Sequence, residues 1–431
     1  MTLEDLTPWL FSRTTGGIRW GLERTEELLA GVGDPHRRFS SVLIGGTNGK
    51  GSVAALCDAA LRAGANARSI GLYTSPHLVS FTERVRIDGR PAAEEALASA
   101  AKRLKPAIER TGASFFEATT AMAFLAFAEA GVDLAVVEVG LGGRLDATNV
   151  LIPLATAITN ISRDHEEYLG AELEGIAREK GGIFKPHVPA LSAVPEPDLR
   201  RVLERCAEEV GAPLVHLDEL ASVEDVETEV NGTRFRLRSG HWRTGDLQLR
   251  LAGAHQARNA AVAAELLALL PPAWRPRWDT LVEGFASAQW PGRLQLEEVG
   301  DTRYLLDVAH NPAGVLTLTD ALDRLAPPRP WLLLLSILAD KPWREMVTAL
   351  VHRADKTILT QAPSAPEHRR WDLAEVSAWI RRALGTNALV IPTLEAAVDQ
   401  AASLGSRGTV IVTGSFHTVG DAMRILGISA L

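Results

Sequence analysis

From residue 40 onward, short β-branched apolar runs alternate with stretches whose apolar residues recur at helical spacing. That alternation predicts parallel strands joined by crossover helices. Residues 41–44 predict a strand and 52–63 the helix after it. Residues 134–139 and 154–161 predict further buried strands, and 117–130 and 172–183 further helices. Together they predict one doubly wound, mostly parallel sheet. Between residues 223 and 251 the texture becomes strict alternation, as in Thr233-Arg234-Phe235-Arg236-Leu237-Arg238, with Asn231-Gly232 as a hairpin turn. A small antiparallel patch on the first domain is expected.

The alanine-rich stretch 254–270 predicts a helix, and the Pro- and Trp-rich stretch 271–278 breaks it. The domain boundary is expected near Ala288, giving domains 1–288 and 289–431. Beyond it the alternation restarts, with strands expected at 304–308, 331–338, 357–360, 389–391 and 409–413 and a helix at 371–384. This predicts a second, smaller Rossmann-like α/β domain.

Composition narrows the function. A chain of 431 residues has room for two or three domains, and 46% apolar with 23% charged residues is ordinary for a globular protein. A net charge of −8 supplies no overall field for a phosphate backbone, so a dedicated nucleic-acid binder is disfavoured. The first ten residues, MTLEDLTPWL, lack the basic stretch and apolar run of a secretory signal. The greasiest run, WLLLLSIL at 331–338, is far short of the ~20 residues of a membrane-spanning helix. Cys57 and Cys206 match no metal or redox spacing, as expected of space-filling thiols in a reducing compartment. The expectation is a soluble cytoplasmic protein without a membrane partner.

The strongest chemical signal is Gly45-Gly46-Thr47-Asn48-Gly49-Lys50-Gly51-Ser52, between an expected strand and an expected helix. Glycines let successive backbone N–H groups curl around phosphate oxygens, the helix N-terminus adds positive potential, and Lys50 supplies a point charge. This predicts a nucleoside triphosphate site in a P-loop domain. The common pattern has glycine five residues before the Gly-Lys pair and Ser or Thr directly after it. Here Ile44 holds the first place and Gly51 precedes Ser52.

From this loop onward a series of blocks recurs in order. Trp20-Gly21-Leu22-Glu23-Arg24 precedes it. Thr74-Ser75-Pro76-His77-Leu78, Glu83-Arg84-Val85-Arg86-Ile87-Asp88-Gly89, Phe116-Glu117-Ala118-Thr119-Thr120-Ala121 and the run from Val137 to Asn149 follow. Then come Asp164-His165, Glu179-Lys180-Gly181-Gly182-Ile183, His255 with Asn259, Trp290-Pro291-Gly292-Arg293, Asp307-Val308-Ala309-His310-Asn311-Pro312 and Thr413-Gly414-Ser415. In this order they resemble the folylpolyglutamate synthase and dihydrofolate synthase family, a branch of the ATP-dependent Mur ligases. The sequence departs at Ser415-Phe416-His417, where that family usually has leucine and tyrosine.

The resemblance implies an ATP-dependent carboxylate-amine ligase. It would add glutamate to dihydropteroate, to the glutamate tail of reduced folates, or to both, through an acyl phosphate. Asn48, Gly49, Lys50, Gly51 and Ser52 would hold the ATP phosphates, and Asn259, Arg293 and Asp307 would reach the nucleotide, with His310 beside Asp307 in the catalytic set. Two Mg²⁺ ions are implied, with Ser52, Ser75, Glu138 and His165 as ligands, and with Lys180, carbamylated by CO₂, as an anionic ligand. Phe116 and Asp146 would meet the pterin. Each residue also has a plainer reading: Ser75 in a turn, Glu138 or Asp307 as a helix cap, His165 or Arg293 on the surface, Lys180 on an exposed helix face, Phe116 in the core. Among other enzymes, another Mur-type amino-acid ligase is disfavoured by Gly51 and by the shortness of the chain ahead of the loop. A nucleotide-dependent switch without chemistry is disfavoured by the intact Lys50, Glu138, His165 and Lys180. A monomer is expected, acting on small molecules.

Overall fold

The computed structural model describes residues 3–14, 20–64, 68–405 and 407–430. Residues 1 and 2 of the N-terminal stretch considered above lie outside the described residues.

Eight strands form the first sheet: β1 (Ser40–Gly45), β2 (Ile70–Tyr73), β3 (Val85–Ile87), β4 (Arg90–Pro91), β5 (Leu134–Glu138), β6 (Ala155–Ile158), β7 (Ala190–Ser192) and β8 (Leu214–His216). Their order is β4-β3-β2-β5-β1-β6-β7-β8, parallel except for β3 and β4. Apolar strand residues alternate between two cores. Leu43, Tyr73, Ala135 and Val137 pack with Leu97, Leu104, Phe124 and Phe127 on one side. Val42, Ile44, Leu72 and Val136 pack with Val53, Leu56, Val262 and Leu267 on the other. Burying both faces explains why these strands read as continuous apolar runs.

A separate antiparallel sheet holds β9 (Ala221–Glu229), β10 (Gly232–Ser239) and β11 (Gly245–Leu249). Phe235, Leu237, Leu247 and Leu249 turn into the core, while Arg236 and Arg238 turn out to pair with Asp246 and Glu224. The hairpin turn sits on Val230 and Asn231, one residue earlier than the sequence pattern suggests. Gly232 is already in the strand, where a Cβ would press against the Leu249 carbonyl.

The third sheet contains β12 (Gln295–Val299), β13 (Thr302–Leu306), β14 (Trp331–Leu335), β15 (Lys356–Gln361), β16 (Leu389–Thr393) and β17 (Thr409–Thr413), in the order β12-β13-β17-β14-β15-β16. Only the β12–β13 pair is antiparallel. Leu333 and Leu335 face one core, and Leu332 and Leu334 the other.

Several expected boundaries move for identifiable reasons. The helix expected from residue 117 spans Phe115–Ala130, because Ser114 and Glu117 form a reciprocal capping box. The strand expected over 154–161 ends at Ile158, since Thr159 and Asn160 turn to hydrogen-bond Asn48. The run expected as a strand to residue 338 ends at Leu335, and the Ser336 carbonyl accepts from the Thr418 hydroxyl instead of continuing the ladder. The helix expected from residue 52 starts at Lys50, behind Gly49 in the left-handed region (φ 82°). No described helix is long and apolar enough to cross a membrane.

In both parallel sheets the strand order reverses, beside β1 in one and beside β17 in the other. Open α/β sheets bind ligands at such points, outside the carboxyl ends of the strands. The loops after β1 and β6 meet those after β13 and β14, so the two carboxyl edges face each other.

Candidate active site between the two sheets

The glycine-rich loop joins β1 to the helix Lys50–Ala63. Its shape is fixed from outside. A Cβ on Gly46 would overlap the Thr159 side chain, one on Gly49 would lie 2.7 Å from Asn259 Oδ1, and one on Gly51 2.7 Å from the Trp290 ring. The Asn48 N–H donates to Asn160 Oδ1 (2.9 Å), and the Asn48 carbonyl accepts from Thr159 Oγ1 (2.7 Å) and Asn160 Nδ2 (2.8 Å). Lys50 Nζ donates to the Thr47 carbonyl (3.0 Å), and Ser52 lies buried in the first helical turn. A strand, a stitched glycine loop and a helix N-terminus make an anion cradle. Ile44, at the place where the common pattern has glycine, is a fully buried residue of β1 paired with Glu138, so no loop glycine is missing.

Glu138 ends β5 at 5% exposure, and its Oε2 accepts from the Ser75 N–H (3.0 Å). Burial raises the pKa of this carboxyl, and Lys50 pulls it back. Lys180 is 4% exposed, so the plainer reading of an exposed helix lysine is wrong: its side of the helix Leu173–Gly181 faces inward. Nζ donates to the Gly46 carbonyl (2.8 Å), and burial, with Lys50 nearby, lowers the amine to about 7. His165 sits in the left-handed region (φ 54°), and burial followed by Lys341 lowers its imidazole to about 3. The ring is therefore neutral at pH 7, the form that ligates metals.

No cluster of three His, Cys, Asp or Glu side chains suited to a metal occurs among the described residues. The set still fits Mg²⁺. A buried carboxylate beside a phosphate cradle offers hard oxygen, and this ion needs only one or two protein ligands alongside phosphate oxygens and water.

The cleft between the sheets encloses about 940 Å³ and is lined by Lys50, Ser75, Phe116, Glu138, Lys180 and His310, among others. That is ample for a nucleotide and a second substrate. Residues 44–267 match the Mur ligase middle domain, and residues 292–416 match the Mur ligase glutamate ligase domain. The chain is 31% identical to a dihydrofolate synthase/folylpolyglutamate synthase of Bacillus subtilis, over 98% of this chain and 99% of that one. It superposes on the folylpolyglutamate synthase of Mycobacterium tuberculosis complexed with ADP and AMPPCP at a TM-score of 0.89, with 33% identity and 99% and 98% of the two chains covered. A bifunctional folylpolyglutamate synthase/dihydrofolate synthase of Yersinia pestis, complexed with AMPPNP and Mn ion, gives 0.84, 29% identity and 99% and 98% coverage. The chain belongs to the dihydrofolate synthase/folylpolyglutamate synthase branch of the Mur ligases.

In this Mur ligase the remaining expected residues fall into two groups. Phe116 lines the cleft with its ring packed on Gly140, where a Cβ would overlap it, so it is wall and core at once. Arg293 lies near Glu138 and Asp307 with its guanidinium 5.2 Å from the Phe416 ring centre. Asn259 packs on Gly49 and donates to Gln256 Oε1 (3.0 Å). Asp146 and Asp307, by contrast, spend their oxygens on backbone. Asp146 accepts from the Leu141 N–H (2.8 Å) and the Thr148 N–H (3.0 Å), and Asp307 from the Leu294 N–H (3.0 Å) and the Ala309 N–H (2.9 Å). Both cap loops that shape the site. His310 Nδ1–H donates to the Val308 carbonyl (2.9 Å), and the ring brings Nε2 to 3.4 Å from Asp164 Oδ2.

Sequence reasoning missed how central Asp164 is. Lys341 Nζ (2.6 Å) and Asn311 Nδ2 (3.0 Å) reach it from the second sheet's loops. Burial alone would raise its pKa, but His310, His165 and Lys341 hold it well below the usual carboxylate range. Asp164 stands beside His165 in a block that repays attention, whereas nothing in the order of residues around Lys341 marks it out.

Proposed function

We propose that this chain is an ATP-dependent ligase that joins the amino group of L-glutamate to dihydropteroate, to the glutamate tail of a reduced folate, or to both. The observation that carries the reading is the stitched phosphate loop at the edge of β1, with buried Glu138 and Lys180 beside it. A carboxylate resists attack because its charge repels an amine and its oxide leaves poorly. Transfer of the γ-phosphoryl group to that carboxylate forms an acyl phosphate and ADP. The glutamate amine then adds to the acyl carbon, loses its proton, and expels phosphate.

No protein nucleophile is needed, so the side chains position groups and neutralise charge. Asn48, Gly49, Lys50, Gly51 and Ser52 bind the phosphates, with Asn259 beside the loop, Arg293 and His310 reaching the nucleotide from the second domain, and Asp307 shaping the loop that carries His310. We place the domain boundary at residue 288. Ser52, Ser75, Glu138 and His165 would hold Mg²⁺, which supplies charge neutralisation on the phosphate oxygens. A lowered amine pKa leaves much of Lys180 uncharged near neutrality, the form that adds CO₂, so a carbamate there would provide oxygen for a second ion. Phe116 offers a flat face to the pterin, and Asp146 orders the loop beside it. We infer a cytoplasmic monomer.

The test supplies ATP, Mg²⁺ and glutamate, adds dihydropteroate or reduced folate in turn, and weighs the products. A mass gain of one glutamyl residue with stoichiometric ADP is expected. ADP release indifferent to both acceptors would instead favour a nucleotide switch. For Lys180, intact mass in bicarbonate buffer should show one added carbamate that disappears in Lys180→Met.

A further inference from the structure

Two loops of the second domain reach across the cleft and grip the first. From the loop after β14, Lys341 Nζ lies 2.6 Å from Asp164 Oδ1, and both side chains are only 7% exposed. From the loop after β13, Asn311 Nδ2 donates to Asp164 Oδ2 (3.0 Å) and to Asn48 Oδ1 (3.0 Å), while Asn48 Nδ2 donates back to Asn311 Oδ1 (3.3 Å). Asp164 in turn accepts the His165 N–H at Oδ1 (2.9 Å). His165 holds a left-handed backbone at φ 54°, a conformation that a non-glycine residue keeps only when its surroundings impose it.

We propose that Lys341 and Asn311 are positioning residues, which set Asn48 of the phosphate loop and the Asp164-His165 loop in working geometry only when the two domains are together. This rests on the ligase reading above. The physics favours a latch over a static glue. An ion pair this buried loses much to desolvation, and removing one partner strands the other charge. The pair is therefore poor adhesive but a sharp sensor of register. The amide pair is geometrically directional, and it touches a loop side chain whose backbone is already sewn to the segment after β6.

The experiment compares Lys341→Met, Lys341→Arg and Asn311→Asp in the full chain. Aspartate at 311 keeps the oxygen that accepts the Gly314 N–H and caps the following helix, but replaces the donor with a charge facing Asp164. Misplacement by about 1 Å can cost roughly 10²-fold, so kcat should fall by about that factor in Lys341→Met and Asn311→Asp, with KM for ATP changed less than about threefold and partial recovery in Lys341→Arg. Small-angle scattering with AMPPNP and Mg²⁺ provides the second readout: native protein should be compact and Lys341→Met expanded. Turnover within about threefold of native in Lys341→Met, or identical scattering curves, overturns the latch. If native enzyme makes no glutamyl product yet Lys341→Met still expands, the ligase reading fails and the mechanical one stands.

Discussion

Buried charge is handled in opposite ways at Glu138 and Lys180 of the first domain and at Asp307 of the second. In the first domain, Glu138 accepts one hydrogen bond, from Ser75, and Lys180 donates one, to Gly46, among the described residues. A carboxylate can accept about four hydrogen bonds and an ammonium can donate three, so both are left short. In the second domain, Asp307 is also buried, yet each oxygen takes a backbone N–H. Polar groups buried without full partners are costly, and a fold retains them where a ligand completes the set. On this contrast Glu138 and Lys180 would carry chemistry that a ligand completes, and Asp307 would supply shape.

The sharpest way to break this contrast is Lys50→Ala. The loop should keep its stitching through Asn48, Thr159 and Asn160, while an electrostatic donor to transferring phosphate is lost. Turnover should drop by about 10²–10³-fold in a coupled ADP assay, with little change in melting temperature. Near-native turnover would show that the phosphates lie elsewhere. Next in size is Glu138→Gln, which keeps the acceptor for the Ser75 N–H and removes the charge. The Mg²⁺ concentration for half-maximal activity should rise about 10–100-fold, read from a metal titration at saturating ATP.

Lys180→Met probes the same imbalance through pH. The folded amine titrates at about 7, well below the ordinary lysine value of about 10.4, so between those values the unfolded chain binds more protons. Native stability consequently rises with pH across that window. The advantage of Lys180→Met over native protein should shrink by about 1.4 kcal/mol per pH unit and level off below pH 7. Denaturant melts in CO₂-free buffer at pH 7, 8 and 9 measure it. A gap independent of pH would mean that the buried amine stays charged.

The sheets were legible because an apolar strand covered on both faces has a simple pattern, and the phosphate loop because its glycines are consecutive and sit between a strand and a helix. Glu138 stood out for a related reason: a carboxylate closing an apolar strand is conspicuous. Lys341 did not, because its role depends on which strand order brings the loop after β14 opposite Asp164, and no local pattern encodes the facing of two sheets. Asp146 was legible only as a residue type. How many of its acceptor positions go to its own loop is set by the fold of that loop. Boundaries slipped where strand ends turned to serve the site, as Thr159 and Asn160 do.

The smallest effect tests the other half of the contrast, that a satisfied polar group of the second domain away from the cleft serves structure alone. Asp372 is exposed and caps the helix Leu373–Leu384, with Oδ1 accepting from the Ala374 N–H (2.8 Å) and the Glu375 N–H (3.0 Å). That helix buries Leu373, Val376 and Ile380 on one face of the third sheet, far along the chain from any group that meets nucleotide. Asp372→Ala strands two N–H groups in water-accessible positions and should cost about 1 kcal/mol of stability. Turnover and KM for ATP should stay at native values when assayed well below the melting temperature. A loss of activity exceeding the loss of folded protein would show that helix packing in the second domain tunes the cleft, and the division of labour drawn above would have to be redrawn.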